Sequence, residues 1–219
     1  MWRLVILAVL VMVPVGVGAQ VSIDQAAPTV TVRVYRTSLG PSEFRAASAL
    51  AGRVLEAAGI GVSWVQCWPG GQGEGSLSAD CQRPLTQSDV IVHVIPASDA
   101  NSASHQESLG FAMIDVQAGV GTVASVYTDR VAMLAREAGV GGADLLAWAM
   151  AHEIGHLLLG TSQHAVRGLM RERWSHVEVQ QHLLRDWSFS VAEGQTMRNA
   201  LRSRGMAQAA RLAPRAIAN

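Results

Sequence analysis

The sequence has little charge and no excess of either sign. Its 17 basic residues, all of them arginine, are matched by 17 acidic ones, and charged residues make up only 16% of the chain. This balance indicates no large basic or acidic face of the kind that attracts nucleic acid or anionic lipid. After the N-terminal region, no apolar run approaches the roughly 20 residues that a membrane-spanning helix needs. We therefore expect no nucleic-acid partner and no stable membrane insertion of the mature chain.

The N-terminus has the pattern of a secretory signal peptide. Arg3 precedes ten consecutive apolar residues, 4–13, and Val17 and Ala19 are small residues at the positions that a signal peptidase reads. An uncleaved membrane anchor is the alternative, but the apolar run is short for that purpose. The pattern predicts a signal peptide at 1–19 and export of the mature chain, 20–219, to the periplasm or the medium.

Cysteine is scarce. Cys67 and Cys81 are the two cysteines of the chain, and a glycine-rich stretch separates them. In an exported protein such a pair favours a disulfide, which would stabilise the fold by about 3 kcal/mol in the chain-entropy model. A thiolate that serves as a metal ligand or as an inhibitory switch is the alternative.

Hydrophobic periodicity predicts an α/β protein. Strands are expected at 29–37, 62–68, 88–97, 108–119 and 121–129, and helices at 42–58 with Ser42 as N-cap, 142–159, 177–185 and 191–211. This order predicts an α+β or α/β sandwich, with one mixed, mostly parallel sheet of about five strands packed against helices. We expect a single domain over 20–219, with an upper subdomain at about 28–160 and a lower helical part at about 161–213.

The predicted helix at 142–159 contains the sequence HEIGH. His152 and His156 are four residues apart, so a helix places both imidazoles on one face, within reach of one metal ion. Glu153 is turned partly away and is suited to act on a water molecule at the metal. This combination is typical of zinc hydrolases. The alternative is a buried helix with hydrogen-bonded histidines, but two histidines and a glutamate on an apolar helix are costly without a function.

A third zinc ligand is expected shortly after this helix. Gly160 can end the helix in a left-handed conformation, and the four residues that follow can bring His164 back to the metal. A surface histidine in a loop is the other interpretation of His164. Glu172 and Glu178 are competing ligands, since a downstream glutamate closes the site in another class of zinc enzymes.

The segment HEIGHLLLGTSQH, followed by GLM, resembles the zinc signature and methionine turn of the metzincin metallopeptidases. The glycine stands one residue later, and the third histidine two residues later, than in that signature. The resemblance implies zinc ligands at His152, His156 and His164, Glu153 as the general base, and Met170 beneath the metal.

The resemblance also implies how a substrate would bind. The strand that contains Gly110, Phe111 and Ala112 would be the edge that pairs with a substrate peptide, with room for a chain beside Gly110 and Ala112. Leu169 and Trp174 would line a side-chain pocket.

The sequence therefore predicts an exported zinc metalloendopeptidase with one Zn²⁺ per chain and a protein or peptide substrate. In this hypothesis a zinc-bound water attacks the peptide bond and Glu153 is the general base. Two alternatives stay open. One is a non-catalytic module whose zinc is closed by a fourth ligand such as His176, and the other is a zinc hydrolase of a non-peptide amide or ester.

Overall fold

The computed structural model describes residues 26–36, 39–68, 78–99, 108–181 and 187–212. The predicted signal peptide lies outside these residues. The described strands are β1 (Thr29–Arg36), β2 (Gly61–Gln66), β3 (Asp89–Ile95), β4 (Gly110–Asp115) and β5 (Val120–Tyr127). The described α-helices are α1 (Pro41–Ala57), α2 (Ala79–Gln82), α3 (Thr128–Ala138), α4 (Gly142–Leu159), α5 (His176–Gln181) and α6 (Val191–Leu212). None of these helices combines the length and apolarity that crossing a membrane requires.

The five strands form one sheet in the order β2-β1-β3-β5-β4. β1 pairs in parallel with both β2 and β3, and β3 pairs in parallel with β5. β4 is an edge strand and is antiparallel to β5, since only the short turn at 116–119 connects the two. The predicted fold class, a mixed and mostly parallel five-stranded sheet with helices, is confirmed.

The core lies between one face of this sheet and the helices α1 and α4. Alternate valines of β1 and β3 are fully buried on that face, as the period of two in a strand requires. α4 is apolar around most of its circumference, and every residue from Leu145 to Leu158 is buried. A helix with this composition is stable only when it is surrounded by protein. The sequence HEIGH therefore lies on a central element of the core.

Two local predictions were wrong. α3 was not anticipated, because the sequence after β5 was interpreted as the end of a strand. The helix buries one narrow stripe, Val131, Ala135 and Ala138, and leaves its other side to the cleft described below. The N-cap of α1 is Gly40 rather than Ser42, since Pro41 occupies the first helical position, where its missing N–H costs no hydrogen bond.

The predicted disulfide is present between Cys67 and Cys81, with Cα atoms 5.6 Å apart. It ties α2 to the segment that leaves β2. A buried ion pair holds the segment between α2 and β3. Arg33 of β1 donates from Nη2 to Asp89 Oδ2 over 2.7 Å, and Arg83 donates from Nη1 to the same oxygen over 2.9 Å. Burial alone would raise the pKa of Asp89, but hydrogen bonds from Thr86 and from the two arginines outweigh it and lower that pKa.

Candidate metal centre and active-site cleft

α4 brings His152 and His156 together on one face. Both side chains are buried, and their Nε2 atoms are 3.0 Å apart. The four-residue spacing sets this geometry because successive turns of a helix place such residues one above the other.

His164 joins them from the loop after α4. Gly160 ends the helix with φ 67°, and the four residues that follow bring His164 Nε2 to 3.2 Å from His156 Nε2. One ring nitrogen from each histidine lies within 4.8 Å of the other two, a spacing that a single metal ion can bridge. The structure therefore gathers the three predicted ligands at one point.

The competing ligands are not part of the histidine group, although Glu172 lines the same cavity. Glu178 Oε2 accepts hydrogen bonds from the backbone N and the Oγ of Ser175, 2.9 and 2.8 Å away, and so caps the start of α5. Within the described part of the chain, neither glutamate that was considered, Glu172 or Glu178, joins the histidine group, and neither does His176.

Backbone carbonyl groups fix which nitrogen of each buried histidine carries the proton. His152 Nδ1 donates to the Leu169 carbonyl and His156 Nδ1 donates to the Thr161 carbonyl, each over 2.8 Å. A carbonyl oxygen can only accept, so each Nδ1 is protonated, and a neutral ring then has a bare lone pair on Nε2.

The two rings are neutral at pH 7. Burial, with a smaller effect of the neighbouring His156 ring, lowers the pKa of His152 to about 3, and burial lowers the pKa of His156 to about 4. Two Nε2 lone pairs therefore face each other at 3.0 Å, which is repulsive unless a cation lies between them. Nitrogen ligands with the outer Nδ1–H bound to a carbonyl are the ligand set that zinc takes in proteins.

Glu153 lies beside the histidines and against the edge strand. A Cβ atom added at Gly110 would be 2.6 Å from Glu153 Oε1, so only glycine at this point of β4 leaves room for the carboxyl group. The predicted free space at Gly110 is thus taken by Glu153. Burial raises the pKa of Glu153 to about 8, and a cation at the three Nε2 atoms would oppose this shift by favouring the carboxylate.

Met170 packs against α4 next to the histidine group. Met170 is almost completely buried, and its Sδ lies 2.7 Å from the place where a Cβ of Gly155 would be. Leu169 is fully buried and does not line the cleft, in contrast to the prediction. Its backbone carbonyl instead orients His152.

A cavity of about 640 Å³ opens above these groups. Its floor is α4, one wall is the start of β4 including Phe111 and Ala112, and another wall is the segment 171–174 with Trp174. The third wall is a face of α3 that the sequence analysis missed. Its residues are Arg130, Met133, Leu134 and Glu137, a spacing that would have revealed a helix with one face in a cleft.

The chain matches no protein-family model, and no curated protein matches it. Among solved structures, it is similar to archaemetzincin from Methanopyrus kandleri, with a TM-score of 0.46 and 16% sequence identity. That comparison covers 82% of this chain and 98% of the archaemetzincin chain.

Proposed function

We propose that this protein is an exported zinc metallopeptidase in which His152, His156 and His164 hold the metal and Glu153 is the general base. The observation that carries the proposal is the convergence of three imidazole Nε2 atoms at the floor of an open cavity, beside a buried carboxyl group. Three protein ligands and an accessible position are the arrangement of catalytic rather than structural zinc sites.

The chemistry divides between the metal and the chain. Bound zinc supplies a Lewis acid that polarises a carbonyl group and lowers the pKa of water. The Nδ1 hydrogen bonds to backbone carbonyls hold both histidines of α4 in the tautomer that binds a cation. Glu153, held against Gly110, takes the proton of the attacking water and later delivers it to the leaving amine.

A protein or peptide is the proposed substrate because β4 is a sheet edge that borders the cavity. A strand at the edge of the described sheet can pair with several residues of an extended chain, which favours cleavage within a peptide. Gly110, Phe111 and Ala112 would contribute to this edge. The disulfide is consistent with export, since such bonds persist in oxidising compartments.

The first test is the zinc content of purified protein by elemental analysis, for wild type and the variant His164→Ala. We expect about one zinc per chain in wild type and a sharp loss in the variant. His176→Ala is the matched control, since this exposed histidine lies outside the cluster and should keep full zinc content. Full zinc retention without His164 would refute the three-histidine site.

The second test is hydrolysis of a peptide library by wild type and by Glu153→Gln. The variant should bind zinc and lose activity, because glutamine cannot accept the proton. Cleavage of esters or non-peptide amides, with no cleavage of any peptide, would instead support the alternative zinc hydrolase.

A further inference from the structure

The side chain of Arg171 lines the cleft and is poorly satisfied. It is only 13% exposed, and its Nε and Nη2 atoms are buried with no hydrogen-bond acceptor among the residues that the structure describes. A guanidinium carries five N–H donors and no acceptor, so buried donors without partners are unfavourable, the more so on a charged group. Such a group in a cleft calls for a ligand that supplies the missing acceptors.

Glu178 satisfies this arginine only weakly. The ion pair between Arg171 Nη1 and Glu178 Oε1 is 3.5 Å long, and the other carboxylate oxygen is occupied by Ser175. The guanidinium carbon of Arg171 lies 5.3 Å from the centre of the Trp187 ring, so the indole supports one face of the group. Neither contact supplies an acceptor to Nε or Nη2.

These two unsatisfied atoms form a pair with a defined preference. The Nε–H and Nη2–H groups point along the same edge of the planar guanidinium, the geometry that binds both oxygens of a carboxylate. The Nε1 of Trp174 is likewise buried with no acceptor among the described residues, and the Trp174 ring also lines the cavity. Trp174 also lies edge-on to His152, with ring centres 5.5 Å apart, which places this wall beside the metal centre.

We propose that Arg171, assisted by Trp174, binds a carboxylate of the substrate, so that the protein selects peptides with a carboxylate close to the scissile bond. This inference rests on the proposed peptidase function and adds its substrate class. The carboxylate belongs either to an acidic side chain or to a free C-terminus, and both offer the acceptor pair that Arg171 lacks.

The test uses alanine-rich peptides with blocked termini. Each peptide carries a single glutamate, placed in turn at every position, and is compared with the same peptide carrying glutamine at that position. A second pair of peptides ends in a free carboxylate or in an amide. A charge-assisted bidentate contact should raise kcat/KM about 10- to 100-fold for the carboxylate peptide at one position. The peptide pair that shows the preference identifies the source of the carboxylate.

Two variants connect the preference to Arg171. Arg171→Gln should bring the ratio of kcat/KM between carboxylate and neutral peptides to about one, with unchanged zinc content. Arg167→Lys, at an exposed arginine outside the cavity, is the control and should keep the wild-type ratio. A purely structural role of Arg171 would lower activity on both peptides alike and would overturn the proposal.

Failure of this inference and failure of the proposed function give different results. Equal cleavage of carboxylate and neutral peptides by wild type, or a preference that survives Arg171→Gln, overturns the carboxylate site and leaves the peptidase intact. If wild type cleaves no peptide, calorimetric binding of the same peptides to zinc-loaded Glu153→Gln decides the inference. Tighter binding of the carboxylate peptide that disappears in Glu153→Gln/Arg171→Gln supports it, and equal binding refutes it.

Discussion

Gly160→Ala should damage both the fold and the metal centre, for two separable reasons. Gly160 ends α4 with φ 67°, in the left-handed region that glycine adopts without steric cost. It also touches the turn between β4 and β5, since an added Cβ would lie 2.0 Å from the carbonyl oxygen of Gly119. Residues 161–164 continue from this point to the metal centre, so a displacement here is passed directly to His164.

The loss of stability in Gly160→Ala is the sum of these two contributions. The left-handed conformation costs alanine about 1 kcal/mol relative to glycine. Real Cβ contacts are essentially never shorter than 3.0 Å, so the two backbone segments must separate by about 1 Å. No side-chain rotation relieves a contact between Cβ and a backbone oxygen, and forced displacements of this kind cost about 1–3 kcal/mol. We expect Gly160→Ala to lower the free energy of unfolding by about 2–4 kcal/mol.

Gly139→Ala is a matched control. Gly139 ends α3 with φ 66°, and an added Cβ there would meet nothing within 4 Å. It therefore carries the conformational cost alone, and urea unfolding of both variants isolates the cost of the contact with Gly119. Gly160→Ala should also bind zinc more weakly than Gly139→Ala. Equal stability and equal zinc affinity in the two variants would refute the close approach of the β4–β5 turn to α4.

Three further predictions concern stability and catalysis. The double replacement of Cys67 and Cys81 by serine should lower the free energy of unfolding by about 3 kcal/mol, and a loss below about 1 kcal/mol in urea unfolding would contradict the chain-entropy account. The pKa of Asp89 is lower in the folded protein than in the unfolded chain, where it is about 3.9. The contribution of Asp89 to the free energy of unfolding is therefore present above this pH and is lost as the pH falls through the folded-state pKa. Asp89→Asn should therefore cost about 3–5 kcal/mol at pH 7, with a difference from wild type that shrinks below about pH 4, and a pH-independent difference would argue against the ion pair. Gly110→Ala should displace the Glu153 carboxyl and lower kcat about 10- to 100-fold with zinc content unchanged, and full activity would place the general base elsewhere.

The strands and the central helix could be predicted because their patterns are local. The alternating valines of β1 show the period of a strand within a few residues, and the apolar residues around HEIGH show the composition of a buried helix. The structure forms β1, β3 and α4 within about two residues of the predicted bounds. α3 was missed, although Val131, Ala135 and Ala138 recur at helical spacing, because the strand pattern of β5 continues without a break into residues 128 and 129.

The sequence by itself determined how the three histidines can come together. The four-residue spacing of His152 and His156 fixes their common face on any helix, and Gly160 allows the reversal that His164 needs. These relations depend on covalent geometry and helical pitch, which act over a few residues.

Only the tertiary structure decided which groups surround these histidines. It sets the Leu169 carbonyl against His152, packs Gly110 onto Glu153, and makes α3 a wall of the cleft. It also leaves the Nε and Nη2 atoms of Arg171 buried without an acceptor in the described part of the chain. These contacts join segments that are distant in the chain. Whether such segments meet depends on the packing of the sheet and the helices as a whole, which no local pattern of residues encodes.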